Sequence, residues 1–347
     1  MGRIFPSKLR PGDKVGIVSP SFAAPGVAPA IHEQAMSRLR ADFGLVPVEY
    51  PTTRNVGASP KERAADINSA WRDPDIRALL ATIGGDDQIC VVPFLDREAA
   101  IRDPKPFLGY SDNTNILSWL WNIGVAAFYG GSTQVQIGAG PSIDACHRAA
   151  LKAILFDGGW LEITDPGESE DVGKDWSDPA ALTSFGVRES TEDWMWFGPE
   201  RTVTGPTWGG CLEVLQGILL AGRFPVESDC LKGGVLLLET SDGLIPPGEF
   251  RRVLRAMGER GLLRAVDGIL IGRPPASNFL TTPSAGDRKR YRDMLWEYAV
   301  EQISHYNPDA VVCFGPPFGH TRPQWILPYG GEVTIDTSRR KILANYG

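Results

Sequence analysis

The chain has 347 residues, 22% of them charged and 42% hydrophobic, and its 35 basic and 42 acidic residues leave a formal charge of −7. That length suggests two domains of about 150 residues each, and the apolar content with ten tryptophans excludes a disordered chain. The acidic balance argues against a nucleic-acid partner, which needs a basic face. The charge is uneven, however. Between positions 162 and 200, eleven acidic residues stand against Lys174 and Arg188, a net −9, so the rest of the chain carries +2.

Residues 14–19 (KVGIVS) predict a strand. Residues 29–43 place apolar side chains at 31, 35, 36, 39 and 43, a helical spacing stopped by Gly44. A second strand spans 45–50. Ser59 then caps a helix, with Pro60 at its first position and Glu62 completing a capping box. Strands follow at 77–83, ending in Gly84-Gly85-Asp86-Asp87, and at 106–109, leading into a helix over 114–122; a fifth spans 125–129. This alternation predicts a doubly wound parallel sheet covered on both faces. Ligands of such sheets bind beyond the carboxyl ends of the strands.

Residues 160–205 show no clear period and are rich in Gly, Pro, Asp and Glu, a loop composition. Yet Trp160, Trp176, Trp194, Trp196 and Trp208, half of all the tryptophans, fall within 49 residues here. Downstream, a helix over 210–220, a buried strand over 235–240, a helix over 247–260 and a strand over 266–271 are expected. A long helix over 288–304 and a strand over 310–314 follow. The tail, 324–342, alternates and turns at Gly330-Gly331, which suggests antiparallel strands. The chain thus divides into an α/β domain over 1–160, an acidic Trp-rich insert over 161–208, and a smaller α/β domain with a β-rich end over 209–347.

The N-terminal residues lack an apolar signal region, and no run approaches the ~18–20 apolar residues of a membrane span, so a cytoplasmic protein without membrane association is expected. Cys90, Cys146, Cys211, Cys230 and Cys313 are odd in number and lack C-x-x-C; they read as buried free thiols in a reducing compartment. With four histidines and no H-E-x-x-H, a histidine-built metal site is not expected.

The sharpest local signal is Gly109-Tyr110-Ser111-Asp112-Asn113, where a strand runs directly into a helix. Such a turn lifts a serine hydroxyl clear of the sheet and sets the next N–H where it can hold an oxyanion. The fifth position is Asn113, not glycine, and Asp112 could equally be a helix-start carboxylate. A serine nucleophile needs a base and an orienting carboxylate. His32 lies in a helical pattern and reads as surface, His147 lies in another and reads as surface or half-buried, and His305 follows the long helix, where it could interact with the helix C-terminus. His320 sits in a Gly-Pro-rich loop after a strand, as a base or as a turn residue. Glu239 ends an apolar strand, either paired near the strand mouth or emerging into solvent. Asp242 and Glu249 read as turn and helix-start residues. Gly84-Gly85 suits a second oxyanion N–H or simply a tight turn.

With Ser111, Glu239 and His320 in that order, the chain resembles the LD-carboxypeptidase family of serine peptidases over nearly its whole length. The segments 9–15, 19–21, 83–87, 109–114, Leu238-Glu239 and Gly319-His320 fall where the family's motifs fall. The resemblance implies a flavodoxin-like N-terminal domain, a smaller C-terminal domain, a Ser111–His320–Glu239 triad across their cleft, and in many members a homodimer. It implies oxyanion donors at the N–H groups of Asp112 and Gly85, with Gly84 and Asp86 beside the substrate, and no metal or organic cofactor. One subgroup trims D-alanine from murein tetrapeptides. The other, the microcin C self-immunity type, cleaves aminoacyl-nucleotides and carries tryptophans on a longer loop. Here Trp176, Trp194 and Trp196 resemble those base-stacking positions, or else close a small core under the insert. The family often has Gly-Gly-Asn-Leu where this chain has Gly209-Gly210-Cys211-Leu212, which leaves substrate preference open.

The reading that follows is a serine hydrolase of aminoacyl-nucleotides. The alternatives are a murein tetrapeptide L,D-carboxypeptidase and, from another class, a non-catalytic binder of a nucleotide-like ligand. A nucleotide phosphate would be repelled by the insert's carboxylates. Most of these are therefore expected to face solvent, with the tryptophans facing the site.

Overall fold

The alternation of apolar runs and amphipathic helices builds five short strands in the first part of the chain: β1 (Lys14–Val18), β2 (Val46–Glu49), β3 (Ile76–Ala81), β4 (Phe107–Gly109) and β5 (Ala127–Tyr129). The middle contributes β6 (Trp160–Ile163), β7 (Glu168–Ser169), β8 (Glu189–Ser190), β9 (Met195–Phe197) and β10 (Thr202–Cys211). The remainder adds β11 (Val235–Glu239), β12 (Gly268–Ile271), β13 (Val311–Phe314), β14 (Leu327–Tyr329), β15 (Glu332–Asp336) and β16 (Lys341–Asn345). The structure, a computed structural model, describes residues 3–224 and 226–347. Met1 and Gly2, which open the first expected domain, lie outside the described residues.

The first sheet has the order β14-β5-β4-β3-β1-β2, with β1 to β5 parallel. The sequence 2-1-3-4-5 is the flavodoxin-like doubly wound order, which places ligands beyond the carboxyl ends of the strands. Local signals set its helices. Pro29–Phe43 ends at Gly44 in the left-handed conformation, and Ser59 and Glu62 form both bonds of a capping box on Pro60–Arg72.

The second sheet has the order β6-β16-β15-β10-β11-β12-β13-β9. Its β10 was not expected from sequence. Through 202–206 it pairs antiparallel with β15, and through 207–211 parallel with β11. Pro206 and three glycines hide the strand from propensity. The glycines are there for contact: Gly209 has φ +138°, and a Cβ on it would fall on the Leu237 carbonyl of β11.

Three other expectations change. β15 and β16 do pair antiparallel, but β14, across the Gly330-Gly331 turn, joins β5 in the first sheet. His32 and His147 are fully buried. His32 Nε2 lies 3.2 Å from the Glu49 carboxylate, and His147 Nδ1 lies 3.0 Å from the Gln324 carbonyl. Each polar ring thus sits on a covered helix face opposite a polar partner that sequence spacing does not reveal. All five cysteines are free, but Cys90 and Cys230 are exposed. One continuous apolar core serves both sheets, and a small satellite of Ala28, Ile31 and Ala181 lies under the insert. Among the described residues no helix is long and apolar enough to cross a membrane.

Candidate active site

Strand β4 delivers Ser111 to the carboxyl edge of the first sheet. Ser111 has φ +61°, a left-handed conformation that a non-glycine residue rarely adopts. The 3₁₀ turn Ser111–Asn113 and the helix Thr114–Asn122 follow at once, so the strand-to-helix elbow is present without the fifth-position glycine. Asn113 has a role of its own there. Its amide donates to the carbonyls of Ile83 and Tyr110 and accepts from Gln88.

The Asp112 carboxylate is buried and accepts from the Ser21 hydroxyl at 2.6 Å, the Gln88 N–H at 2.9 Å and the Asn115 amide at 2.9 Å. It ties together the loops after β1, β3 and β4. Burial pushes its pKa up, against the Ser21 and Gln88 bonds. Gly84 packs against the elbow: a Cβ on it would lie 2.8 Å from Ser111 Cβ and 3.2 Å from the Asp112 nitrogen. Arg63, buried, clamps Asp87 with two bonds of 2.8 and 2.5 Å and donates to the Pro20 and Ser21 carbonyls.

The second sheet delivers the other two residues. Glu239, at the end of β11, is 1% exposed and accepts a 2.7 Å bond from His320 Nδ1. Its second oxygen accepts from the Tyr129 hydroxyl. Gly319 has φ +97°, and a Cβ on it would collide with the Glu239 carboxylate, so only glycine lets His320 approach. The Gln324 amide holds the Gly319 carbonyl, and the Gln324 carbonyl meets buried His147. Burial opposes charging of His320. The charge and hydrogen bond of Glu239 outweigh it, with Asp242 and Glu213 adding, and the pKa is raised to about 9. The ring of Tyr110 stands edge-on to His320 at 5.0 Å.

Ser111 and His320 line one cleft of about 380 Å³ together with Gly84, Gly85 and Tyr110. Among the described residues no hydrogen bond joins the Ser111 hydroxyl to His320. Cys211, Glu239 and His320 are the one trio among the described residues whose donor atoms could share a metal, lying within 4.8 Å of one another. The His320 nitrogen is bonded to Glu239, and the buried Cys211 thiol donates to Glu213.

The insert covers this cleft with Glu170, Asp171, Lys174 and Trp176. Glu170 and Arg322 exchange backbone bonds of 2.7 and 3.0 Å, fastening the insert to the loop that bears His320. Asp171 receives Arg273 at 2.9 Å and Arg292 at 2.8 Å. Nine of the eleven insert carboxylates are exposed, and the two others, Glu170 and Asp171, line the cleft. Of the three tryptophans assigned to the ligand, Trp176 alone lines the cleft. Trp196 lies in β9, which pairs with β13 opposite Cys313, and Trp194 covers Gly315. Edge-strand pairing turns these two indoles to the second sheet's core. Asp86 is exposed and outside the cleft lining.

Sequence reading missed Tyr129, Arg322 and the reach of Asp242 into the cleft. Tyr129 had a signal, since it ends a predicted parallel strand where ligand-facing residues concentrate. Arg322 and Asp242 had none beyond proximity to His320 and Glu239 in the chain.

A two-domain α/β protein with a strained serine and a carboxylate-held histidine at the domain junction is the architecture of one peptidase class. Residues 15–130 match the N-terminal domain of LD-carboxypeptidase and residues 204–335 its C-terminal domain. The chain belongs to the LD-carboxypeptidase family. Microcin C7 self-immunity protein MccF of Escherichia coli is 27% identical over 98% of this chain and 95% of its own. A Bacillus subtilis protein named a probable murein peptide carboxypeptidase is 24% identical over 99% of this chain and 94% of its own. Among solved structures, MccF with glutamyl sulfamoyl guanosine aligns at a TM-score of 0.83 and 25% identity over 98% of both chains. MccF with aspartyl sulfamoyl adenosine aligns at 0.84 and 25%, over 99% of this chain and 98% of that one.

Proposed function

We propose that this hydrolase uses Ser111, His320 and Glu239 as a triad to cleave the acyl bond of aminoacyl-nucleotides. The observation that carries the reading is Ser111, held at φ +61° on its elbow, facing the same cleft as a histidine bonded to a buried carboxylate. Glu239 fixes the ring through Nδ1, leaving Nε2 as the base. His320 removes the Ser111 proton as the hydroxyl attacks the acyl carbonyl. The Asp112 and Gly85 N–H groups hold the oxyanion, and His320 returns the proton to the leaving nitrogen. Water then hydrolyses the acyl-enzyme. Substrate entry brings serine and histidine into bonding distance, as in other triads that are loose without ligand.

The relationship to MccF and the place of Trp176 in the cleft support the nucleotide half of this reading; an indole there offers a stacking face for a base. The protein then acts in the cytoplasm on a small molecule, as a homodimer. A specific observation favours murein tetrapeptide as a second reading: Asp242 gives the cleft a carboxylate that makes no ion pair among the described residues and that a nucleotide phosphate would avoid. Incubation with aminoacyl sulfamoyl adenosines and, separately, with murein tetrapeptide decides. Amino acid released from the former is expected; D-alanine from the tetrapeptide alone reverses the order. Binding without turnover of either makes the protein a binder.

A further inference from the structure

We infer that the acyl residue of the substrate carries a cationic side chain, recognised by the carboxylate of Asp242 at the rim of the cleft. The inference rests on the hydrolase reading above and adds the side-chain class to it.

Most charges of the cleft lining are already matched. Asp171 is neutralised by Arg273 and Arg292. Arg322 is held by Asp144 at 2.6 Å. Glu170 is buried between Arg188 at 3.8 Å and Arg322 at 4.0 Å. Two charges of the lining remain, Lys174 and Asp242, and among the described residues neither makes an ion pair. Lys174 stands two residues before Trp176 on the insert and lines the same cleft. It therefore offers a partner for the anionic link of a nucleotide.

Asp242 belongs to the reacting side. It lies three residues beyond Glu239, and it lines the same cleft as Tyr110, Ser111 and His320. Its loop is fixed at both flanks. Glu213 accepts from the Ser241 N–H at 3.0 Å and hydroxyl at 2.9 Å, and the Asn278 amide donates to the Asp242 carbonyl at 2.9 Å. The backbone is thus held while the carboxylate is left open. A ligand with one anionic and one cationic group satisfies both unmatched charges. An acidic acyl side chain would meet Asp242 as a like charge. Lysine in an aminoacyl-nucleotide and lysine before the terminal D-alanine of a peptide present the same ammonium.

The test uses the full chain carrying Ser111→Ala, so that binding is read without turnover. Calorimetry compares lysyl, alanyl and aspartyl sulfamoyl adenosine, then the tetrapeptide L-Ala–D-Glu–L-Lys–D-Ala and its analogue with alanine for lysine. Lysyl is expected to bind about tenfold tighter than alanyl, the scale of one charge-assisted hydrogen bond, with aspartyl weakest. Adding Asp242→Asn should collapse the lysyl-to-aspartyl ratio, and Asp242→Glu should restore much of it. Equal lysyl and alanyl affinities overturn the inference and place Asp242 on the α-ammonium, while the nucleotide reading stands. Aspartyl binding as tightly as lysyl overturns it too. Silence of every nucleotide, with an Asp242-dependent lysine preference among the peptides, upholds the inference and removes the nucleotide reading. No lysine preference in either series ends it.

Discussion

The wall of the cleft that carries Ser111 and the insert that covers it are held by different means. The wall is made of strand ends. Ser111 follows β4, Glu239 ends β11, and Asp112 bonds the loops of three parallel strands within hydrogen-bonding reach. The insert has little regular structure. It is fixed by partners distant in sequence: backbone bonds of Glu170 with Arg322, strand β9 on β13, and the ion pairs of Asp171 with Arg273 and Arg292, about a hundred residues away. A site placed by strand ends can be read from local pattern. A cover placed by distant partners cannot.

The comparison breaks most sharply at the serine. Ser111→Ala should lower turnover by at least about a thousandfold with the melting temperature little changed, as read by amino-acid release and calorimetry; near-normal turnover would remove Ser111 from the reaction. Next is the carboxylate. Glu239→Gln should cost roughly a hundredfold or more in kcat. The proposed mechanism needs neutral His320, and with its pKa raised to about 9 the mechanism implies that kcat/KM climbs with pH on the alkaline side of an ordinary histidine. The substitution should move that limb to lower pH. The sign for stability is the reverse. The raised pKa adds stability fully below about 6.5, which is lost as pH rises through about 9.

The insert should answer in stability before chemistry. Asp171→Ala strands two mostly buried guanidinium groups and should cost about 3 kcal/mol, with limited proteolysis appearing first within 164–201. Intact resistance to protease would show that backbone pairing alone holds the cover. Smallest is the indole. Trp176→Ala should weaken nucleotide binding by roughly 1–3 kcal/mol, while Trp196→Leu should lower the melting temperature and leave affinity alone. An equal loss of affinity from both would return Trp196 to the ligand.

These differences explain what was legible in the sequence. The helices Pro29–Phe43 and Thr114–Asn122, the capping box at Ser59, and the elbow at Ser111 follow from local rules and match the structure. Local pattern left Glu239 and His320 open as separate candidates; their pairing, implied by the family resemblance, is present in the structure. Strand β10 escapes local pattern because Gly205, Pro206, Gly209 and Gly210 are poor strand formers, although Gly205 and Gly209 lie against neighbouring backbone and Gly210 against the Thr114 and Tyr129 side chains. Trp194 and Trp196 were misplaced because composition cannot say which sheet edge an insert will zip onto. His147 reads as surface or half-buried in the sequence because its partner, the Gln324 carbonyl, is 177 residues distant.

The turn at Gly330-Gly331 sends the chain from β14 in the first sheet to β15 in the second. His320 therefore lies on a segment whose preceding strand, β13, belongs to one sheet and whose following strand, β14, completes the other. Neither half owns a finished sheet of its own. An N-terminal fragment would lack an edge strand, and a C-terminal fragment would carry a strand with nowhere to pair. The two halves should thus melt in a single cooperative transition despite their two cores' worth of length. An evolutionary exchange of one half for another would also have to carry this short strand across the boundary.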